Sequence, residues 1–334
     1  MTASTFQVED PSIAETTVQA AQSPFPAITL LPSHLTSHLT MTVPRELVHR
    51  AAVAEVMLTG WQRLDDTRFT LSAQWPRGHS FFTPVNGTHH DPLIAAETIR
   101  QAGSLLSHAE FGVPFGHQFL MEKLALTVHP DALRIGHAPA ALDIDVVCTE
   151  VKRRGHRLTG MCYETTVRRE GRLTASGRIS FTVITPAVYR RLRPPRVLEA
   201  DFRPLPLTAP VAPETVGRFS PTDVVLSPTG EPDRWLLRVD TRHPILFDHQ
   251  VDHVPGMALL EAARQAATAK LGRPVLLPQV LDCEFEKYVE LDMPCLIDAV
   301  RLPEAAPGDP ETILVTGSQD DQPAFRATLT AASD

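Results

Sequence analysis

The chain has 334 residues, more than the roughly 250–300 at which a single hydrophobic core stops growing, so two domains are expected. Hydrophobic residues make up 43% and charged residues 21%, the balance of a soluble globular protein, and a net charge of -8 argues against nucleic acid or an anionic membrane as partner. Four dispersed cysteines without a CxxC, no basic n-region at the start and no apolar run near the roughly 18 residues of a membrane helix predict a reduced, cytoplasmic protein.

Residues 1–27 are polar, proline-punctuated and aperiodic, and read as a disordered leader before a first domain at 28–185. In that domain Leu71, Ala73 and Trp75 alternate as in a half-buried strand. Asp91 is placed to cap, and Pro92 to start, a helix that runs through LIAAETIRQAGSLLSH and is apolar nearly all round. Alternation then resumes at Leu124–Val128, Leu142–Val146, Tyr163–Val167 and Leu173–Val183, and the short turns between these runs predict antiparallel pairing. The prolines between Pro186 and Pro213 predict an extended linker at 186–217. The arginines at 153–154 and at 190, 191 and 193 read as solvated turns.

The second domain, 218–334, repeats the first. A shift of 164 residues places His79 on His243, Glu97 on Glu261, Arg100 on Arg264 and Gln101 on Gln265. Trp235, Leu237 and Val239 alternate, Pro255-Gly256 opens MALLEAARQAATAKL, Gly272 stops it, and strand signals follow from Cys283 to residue 330. The expected fold class is α+β. Each half is an antiparallel sheet around a central helix, and the two sheets join edge to edge or pack together as an internal pseudo-dimer.

Both helices carry E-x-x-R-Q, which sets a carboxylate, a guanidinium and an amide on one face of an apolar segment. Two readings stand. Burial that raises a carboxyl toward neutrality suits a general acid or base, whereas a Glu–Arg pair with a Gln bond fixes an interface. The loop before the second helix holds His243, Asp248, His249, Asp252 and His253; its first-half counterpart offers His79, His89, His90 and Asp91. A histidine there is suited to accept a hydroxyl proton. His243 and Asp248 also match an H-x-x-x-x-D acyltransferase spacing, a weak signal in a chain with 14 His and 39 acidic residues. No HExxH, Walker, GxGxxG or GxSxG motif occurs, so neither metal nor nucleotide cofactor is expected.

The segments FDHQVDHVPGMALLEAARQAA, VPRELVHRAAVAEVMLTGW, AQWPRGHSFF and HDPLIAAETIRQ resemble the A-factor biosynthesis (AfsA-type) hotdog family, over roughly residues 40–185 and 219–330. That resemblance implies a tandem double hotdog. It further implies transfer of a β-ketoacyl group from acyl carrier protein to the hydroxyl of dihydroxyacetone phosphate, toward γ-butyrolactone, butenolide or furan autoregulators. A more distant similarity is to β-hydroxyacyl-carrier-protein dehydratases, whose helix opens on MPG with a catalytic Glu five residues after the Gly. Val254-Pro255-Gly256, Glu261 and Gln265 match that pattern, and His249 lies near the dehydratase histidine in a loop two residues shorter. In the first half Val85 and Pro92 depart from it.

The resulting expectation is that Glu261 or Glu97, with His249, deprotonates the acceptor, and that the N–H groups of Gly256 and Met257 hold the oxyanion. Arg264 or Arg100 would bind phosphate, with Gln265, Gln101, His90 and Asp248 as further substrate contacts. Thioester hydrolysis, dehydration and acyl-ligand sensing without turnover are the alternative activities.

Overall fold

The computed structural model describes residues 41–83, 87–199, 202–304, 306 and 308–331. The leader read at 1–27, and Val85, lie outside these residues. In the first lobe β1 (Leu58–Arg63) and β2 (Arg68–Trp75) precede α1 (Pro92–Ala109). Four strands follow: β3 (Gln118–Val128), β4 (Ala140–Arg154), β5 (Arg157–Arg169) and β6 (Arg172–Ile184). A short α2 (Pro186–Leu192) leads to β7 (Leu226–Pro228), β8 (Arg234–Leu237) and α3 (Gly256–Leu271). The chain ends in β9 (Val280–Phe285), β10 (Leu296–Arg301), β11 (Glu311–Gln319) and β12 (Gln322–Ala331). No helix among the described residues is long and apolar enough to cross a membrane.

All strands belong to one sheet ordered β1-β2-β4-β5-β6-β3-β9-β12-β11-β10-β8-β7. Read outward from the centre, the two halves have the same order, so the repeat in sequence is a pseudo-twofold in space. The seam is the antiparallel β3–β9 pair, in register from Lys123 opposite Glu284 to Thr127 opposite Val280. Pairing edge to edge gives both strands a second row of hydrogen-bond partners, which removes two sheet edges at once. β4 shows why the fold was readable: its residues alternate strictly buried and exposed from Ala140 to Thr149.

α1 and α3 lie against the concave face of this sheet and are buried nearly all round. Asp91 accepts from Leu93 N at 2.9 Å, and Gly272 ends α3 in the left-handed conformation at φ +66°. Inside the wrap, Tyr163 Oη donates to the Ile99 carbonyl of α1 at 2.8 Å. This close approach requires Gly103, where a Cβ would stand 2.5 Å from that hydroxyl. Gly103→Ala is therefore expected to destabilise by about 1–3 kcal/mol, more than the roughly 1 kcal/mol gained in helix propensity. A fall in Tm checks it. Because the seam and several buried ion pairs join the lobes, residues 1–190 and 215–334 expressed apart are expected to be poorly soluble. Two well-folded independent monomers would contradict this.

The proline-rich segment is not simply extended. Thr185 caps α2, accepting from Val188 N at 3.3 Å, and Pro186 occupies its first turn. Nor is Arg193 a solvated turn residue. Its guanidinium is buried, bonds Glu290 at 2.6 and 2.7 Å, reaches Asp252, and lies 4.3 Å from the Tyr288 ring centre. Further on, the short 3-10 turn Pro213–Val216 repeats Arg45–Val48 of the first lobe. The turns exit through left-handed Gly217 (φ +68°) and left-handed His49 (φ +54°).

Candidate active site

The polar loop after β8 is built by its first histidine. His243 Nδ1 accepts from the N–H groups of Ile245 and Leu246, and its other nitrogen meets Asp223 at 3.1 Å. His79 holds the corresponding turn in the first lobe in the same way, through Phe81 N and Phe82 N. These two repeated histidines fix loop shape, and both are turned away from the large cavity described below.

What the His243 turn presents is Asp248 followed by His249. The Asp248 side chain is only 2% exposed, accepts from Ala51 N at 2.8 Å, and lies 3.5 Å from Arg50 Nη1 and 2.6 Å from His249 Nδ1. Burial alone would raise its carboxyl. The His249 bond, the Arg50 charge and the Ala51 N–H outweigh burial and hold it at about 2. A carboxylate can only accept, so His249 Nδ1 carries the hydrogen, and in the neutral ring Nε2 is the acceptor. His249 is half exposed. A second pair stands beside it, His253 Nδ1 at 2.7 Å from Asp252, whose oxygens also take the Tyr189 hydroxyl at 2.6 Å.

The E-x-x-R-Q trios form, but not with raised carboxyls. Glu97 is fully buried between Arg100 at 2.7 Å and Arg50 at 2.8 Å, with Gln101 at 2.7 Å. Glu261 is fully buried between Arg218 at 2.7 Å and Arg264 at 2.7 Å, with Gln265 at 2.5 Å. Burial raises each, yet paired guanidiniums on both sides overcome it and hold both carboxyls at about 2. Each glutamate is thus a locked anion, unsuited to exchange protons near neutral pH. The amides are also used up: Gln101 bonds Met57 N and Glu55 O, and Gln265 bonds Val225 N and Asp223 O.

Sequence reasoning missed Arg50 and Arg218. They are equivalent: Val43–Arg50 aligns with Val211–Arg218, but at an offset of 168 rather than 164, so an ungapped comparison passes them by. Each arginine crosses between lobes, Arg50 Nη1 to Ile245 O at 3.0 Å and Arg218 Nη1 to Phe81 O at 2.5 Å.

The two halves differ in what surrounds these bolts. A cavity of about 880 Å³ opens between α1 of the first lobe and the loop and helix start of the second. Its lining includes His49, Arg100, Ser104, Asp248 and His249, an apolar stretch of Phe119, Ile179, Phe181, Leu259, Leu260 and Phe285, and the charged Glu122, Glu286 and Lys287. Gly256 and Met257 also line it. Their N–H groups, at the uncapped start of α3, have no partner among the described residues. In the other half Arg218 lies 4.1 Å from the Phe81 ring centre and 3.6 Å from Asp91.

Of the residues singled out from sequence, Asp248, His249, Arg100, Gly256 and Met257 therefore meet at one cavity. Glu97 stands one residue behind it. Glu261, Arg264, Gln265 and Gln101 are packed away from it, and buried His90 sits edge-on to Trp75 at 5.3 Å with its imidazole pushed down to about 4 by burial. Among the described residues no group of His, Cys, Asp and Glu side chains is arranged to hold a metal ion.

The A-factor biosynthesis hotdog domain model matches residues 33–185 and again 200–333. The chain belongs to the A-factor biosynthesis hotdog family. A 2-oxo-3-(phosphooxy)propyl 3-oxoalkanoate synthase of Streptomyces virginiae is 58% identical over 287 residues, 86% of this chain and 96% of that protein. A protein of the same name from Streptomyces coelicolor is 43% identical over 293 residues, 86% and 91% of the two chains. Among solved structures, an oleoyl thioesterase (putative) of Lactobacillus plantarum superposes with a TM-score of 0.51 at 15% identity, covering 79% of this family member and 96% of that chain. The fold of this family member is a double hotdog.

Proposed function

We propose that the protein transfers a β-ketoacyl group from an acyl carrier protein thioester to the free hydroxyl of dihydroxyacetone phosphate, in the biosynthesis of a γ-butyrolactone-type signal. The observation that carries this reading is one cavity that holds a His–Asp pair and a partly free arginine together with an apolar stretch, Phe119, Ile179, Phe181, Leu259 and Leu260, for an acyl chain. The two Streptomyces relatives are named for the ester such a reaction would yield.

His249 Nε2 takes the hydroxyl proton as the acceptor oxygen attacks the thioester carbonyl. The N–H groups of Gly256 and Met257 receive the developing oxyanion, and α1 lacks an equivalent site because Pro92 has no N–H and Leu93 N is held by Asp91. Collapse forms the ester and expels the thiolate, which regains its proton from His249. Arg100 spends Nε and Nη2 on Glu97, leaving Nη1 for the acceptor phosphate.

Incubation with β-ketoacyl-carrier protein and dihydroxyacetone phosphate, read by mass spectrometry, tests this directly. The phosphorylated keto ester is the expected product. Free acid would indicate hydrolysis, an enoyl product dehydration, and unchanged reactants a ligand-sensing role. Transfer is expected to survive EDTA without added nucleotide; loss restored by zinc would revive a metal reading of the histidine loop.

A further inference from the structure

Arg50 occupies an unusual place: it belongs to the first lobe, yet one edge of its guanidinium faces the loop that carries His249. Its Nε and Nη2 bind Glu97 Oε1 at 2.9 and 2.8 Å. On the opposite edge Nη1 donates to Ile245 O at 3.0 Å and lies 3.5 Å from Asp248. Asp248 in turn meets His249 Nδ1 at 2.6 Å. An unbroken line of charges, Glu97–Arg50–Asp248–His249, therefore runs from the core of α1 to the cavity.

The pseudo-twofold supplies an internal comparison. Arg218 makes the same bolt, to Glu261 and to the carbonyl of Phe81, the residue that corresponds to Ile245. Its second carboxylate, Asp91 at 3.6 Å, caps α1 and orients no histidine, so holding the lobes together needs carboxylates and a carbonyl but no imidazole. At the positions matching Asp248 and His249 the first lobe has Pro84 and Val85, so Arg218 has no dyad to serve. The contact peculiar to Arg50 is the one to the aspartate that orients the histidine.

The geometry points to Arg50 as a positioning residue for the transfer chemistry: through Asp248 it fixes the tautomer and orientation of the His249 imidazole. Glu97 then serves as the anchor of Arg50 and does not meet substrate. A buried carboxylate deprived of its cation tends to take up a proton or to turn toward water. Either change frees Nδ1 and lets the hydrogen move to Nε2, where it blocks proton abstraction. The inference rests on the acyl-transfer reading only for its kinetic consequence; the tautomer can be read in the resting protein.

The test compares Arg50→Gln, Arg50→Lys and Arg218→Gln with wild type by thermal melting, ¹⁵N NMR of labelled histidine and the pH dependence of kcat. Wild type is expected to show His249 as the Nδ1–H tautomer. Arg50→Gln should shift it toward Nε2–H, move the acid limb of the kcat profile, and lower kcat by about ten- to a hundredfold, as for other groups that orient a histidine. Arg50→Lys should recover part of this, and acceptor KM should change little. Arg218→Gln should lower Tm without moving either signal. An unchanged tautomer and acid limb in both Arg50 variants would reduce Arg50 to a structural bolt. If Arg50→Gln fails to fold, Arg50→Lys decides alone, since a single ammonium cannot span Glu97, Ile245 O and Asp248 together. Absence of transfer by wild type would remove the acyl-transfer reading, while the tautomer measured by NMR would still decide the role of Arg50.

Discussion

His249→Ala is expected to lower acyl transfer by about 10²–10⁴-fold, the usual weight of a positioned general base, with little change in Tm. His249 is half exposed, and among the described residues its side chain bonds Asp248 at 2.6 Å and little else, so little packing is lost with the ring. Asp248→Asn should cost a comparable factor for a different reason. An amide presents a donor as well as an acceptor and no longer enforces the Nδ1–H tautomer, the effect seen when the triad aspartate of a serine protease is replaced by Asn. Because the two residues act as one unit, the double variant should be scarcely worse than either single one. Additive losses would mean that Asp248 works separately, through its grip on Ala51 N and Arg50. An active His249→Ala beside an inactive His253→Ala would transfer the role to the neighbouring Asp252–His253 pair, whose histidine also lines the cavity. The Asp248 carboxyl, held at about 2, stays ionised throughout the working range, so Asp248 does not set the acid limb of the rate profile.

Much of the architecture was legible because its signals are local. Period-two alternation marked β2, β3, β4, β5 and β6, and the Asp91-Pro92 and Gly272 punctuation marked the ends of α1 and α3. β1 and β7 escaped: β1 carries Thr59, Gly60 and Gln62 without clean alternation, and β7 is three residues long. The E-x-x-R-Q trios were visible as helix-face groups, but their protonation behaviour was not. Whether a buried carboxyl rises or falls depends on charges arriving from elsewhere in the chain, and Arg50 and Arg218 approach from 47 and 43 residues upstream. Likewise Arg193 looked like one member of a surface cluster because the acids that bury it, Asp252 and Glu290, come from the second lobe. The histidine loop was found by its density, while the division into loop-holders and a cavity-facing pair required the fold.

The left-handed His49 is a further signal that only dihedral angles reveal. The equivalent residue of the other lobe is Gly217, which adopts that conformation without steric cost, whereas a Cβ there is unfavourable. His49 borders the cavity, and its Nε2 stands 2.7 Å from His108 Nε2. Since His108 Nδ1 donates to Val113 O at 2.6 Å, His108 Nε2 accepts and His49 Nε2 donates. Burial first, then the Arg100 charge, pushes the His49 imidazole down to about 3, so the ring is neutral at working pH. Strain held at a cavity wall is a mark of use. His49→Gly is expected to keep Tm near the wild-type value, because relief of strain offsets the lost bond, while kcat/KM falls.

Glu261→Gln carries the largest expected effect on stability, and it separates the two lobes. Glu261 stands between Arg218 and Arg264, all three nearly or fully buried. An amide leaves two guanidiniums facing each other with only the more distant Asp91, at 3.6 and 3.9 Å, as anion, and breaking a buried pair in this way typically costs about 3–5 kcal/mol. A marked drop in Tm is therefore expected, with transfer per folded molecule reduced only a few-fold, because Glu261 itself does not line the cavity. Acid unfolding supplies an independent check. Glu261 and Glu97 are held at about 2, below their unfolded values, so the stability each contributes is fully present above about pH 4.5 and is lost as pH falls toward 2. Glu261→Gln has already forfeited one share, so its stability should fall less steeply across that window than that of wild type. Glu97→Gln should behave otherwise: it loosens Arg50, which faces Asp248, and so should lower both Tm and transfer. The opposite pattern for Glu261→Gln, an intact Tm with transfer down a hundredfold or more, would show that this carboxylate reaches the reacting atoms, as its dehydratase-like spacing after Gly256 implies.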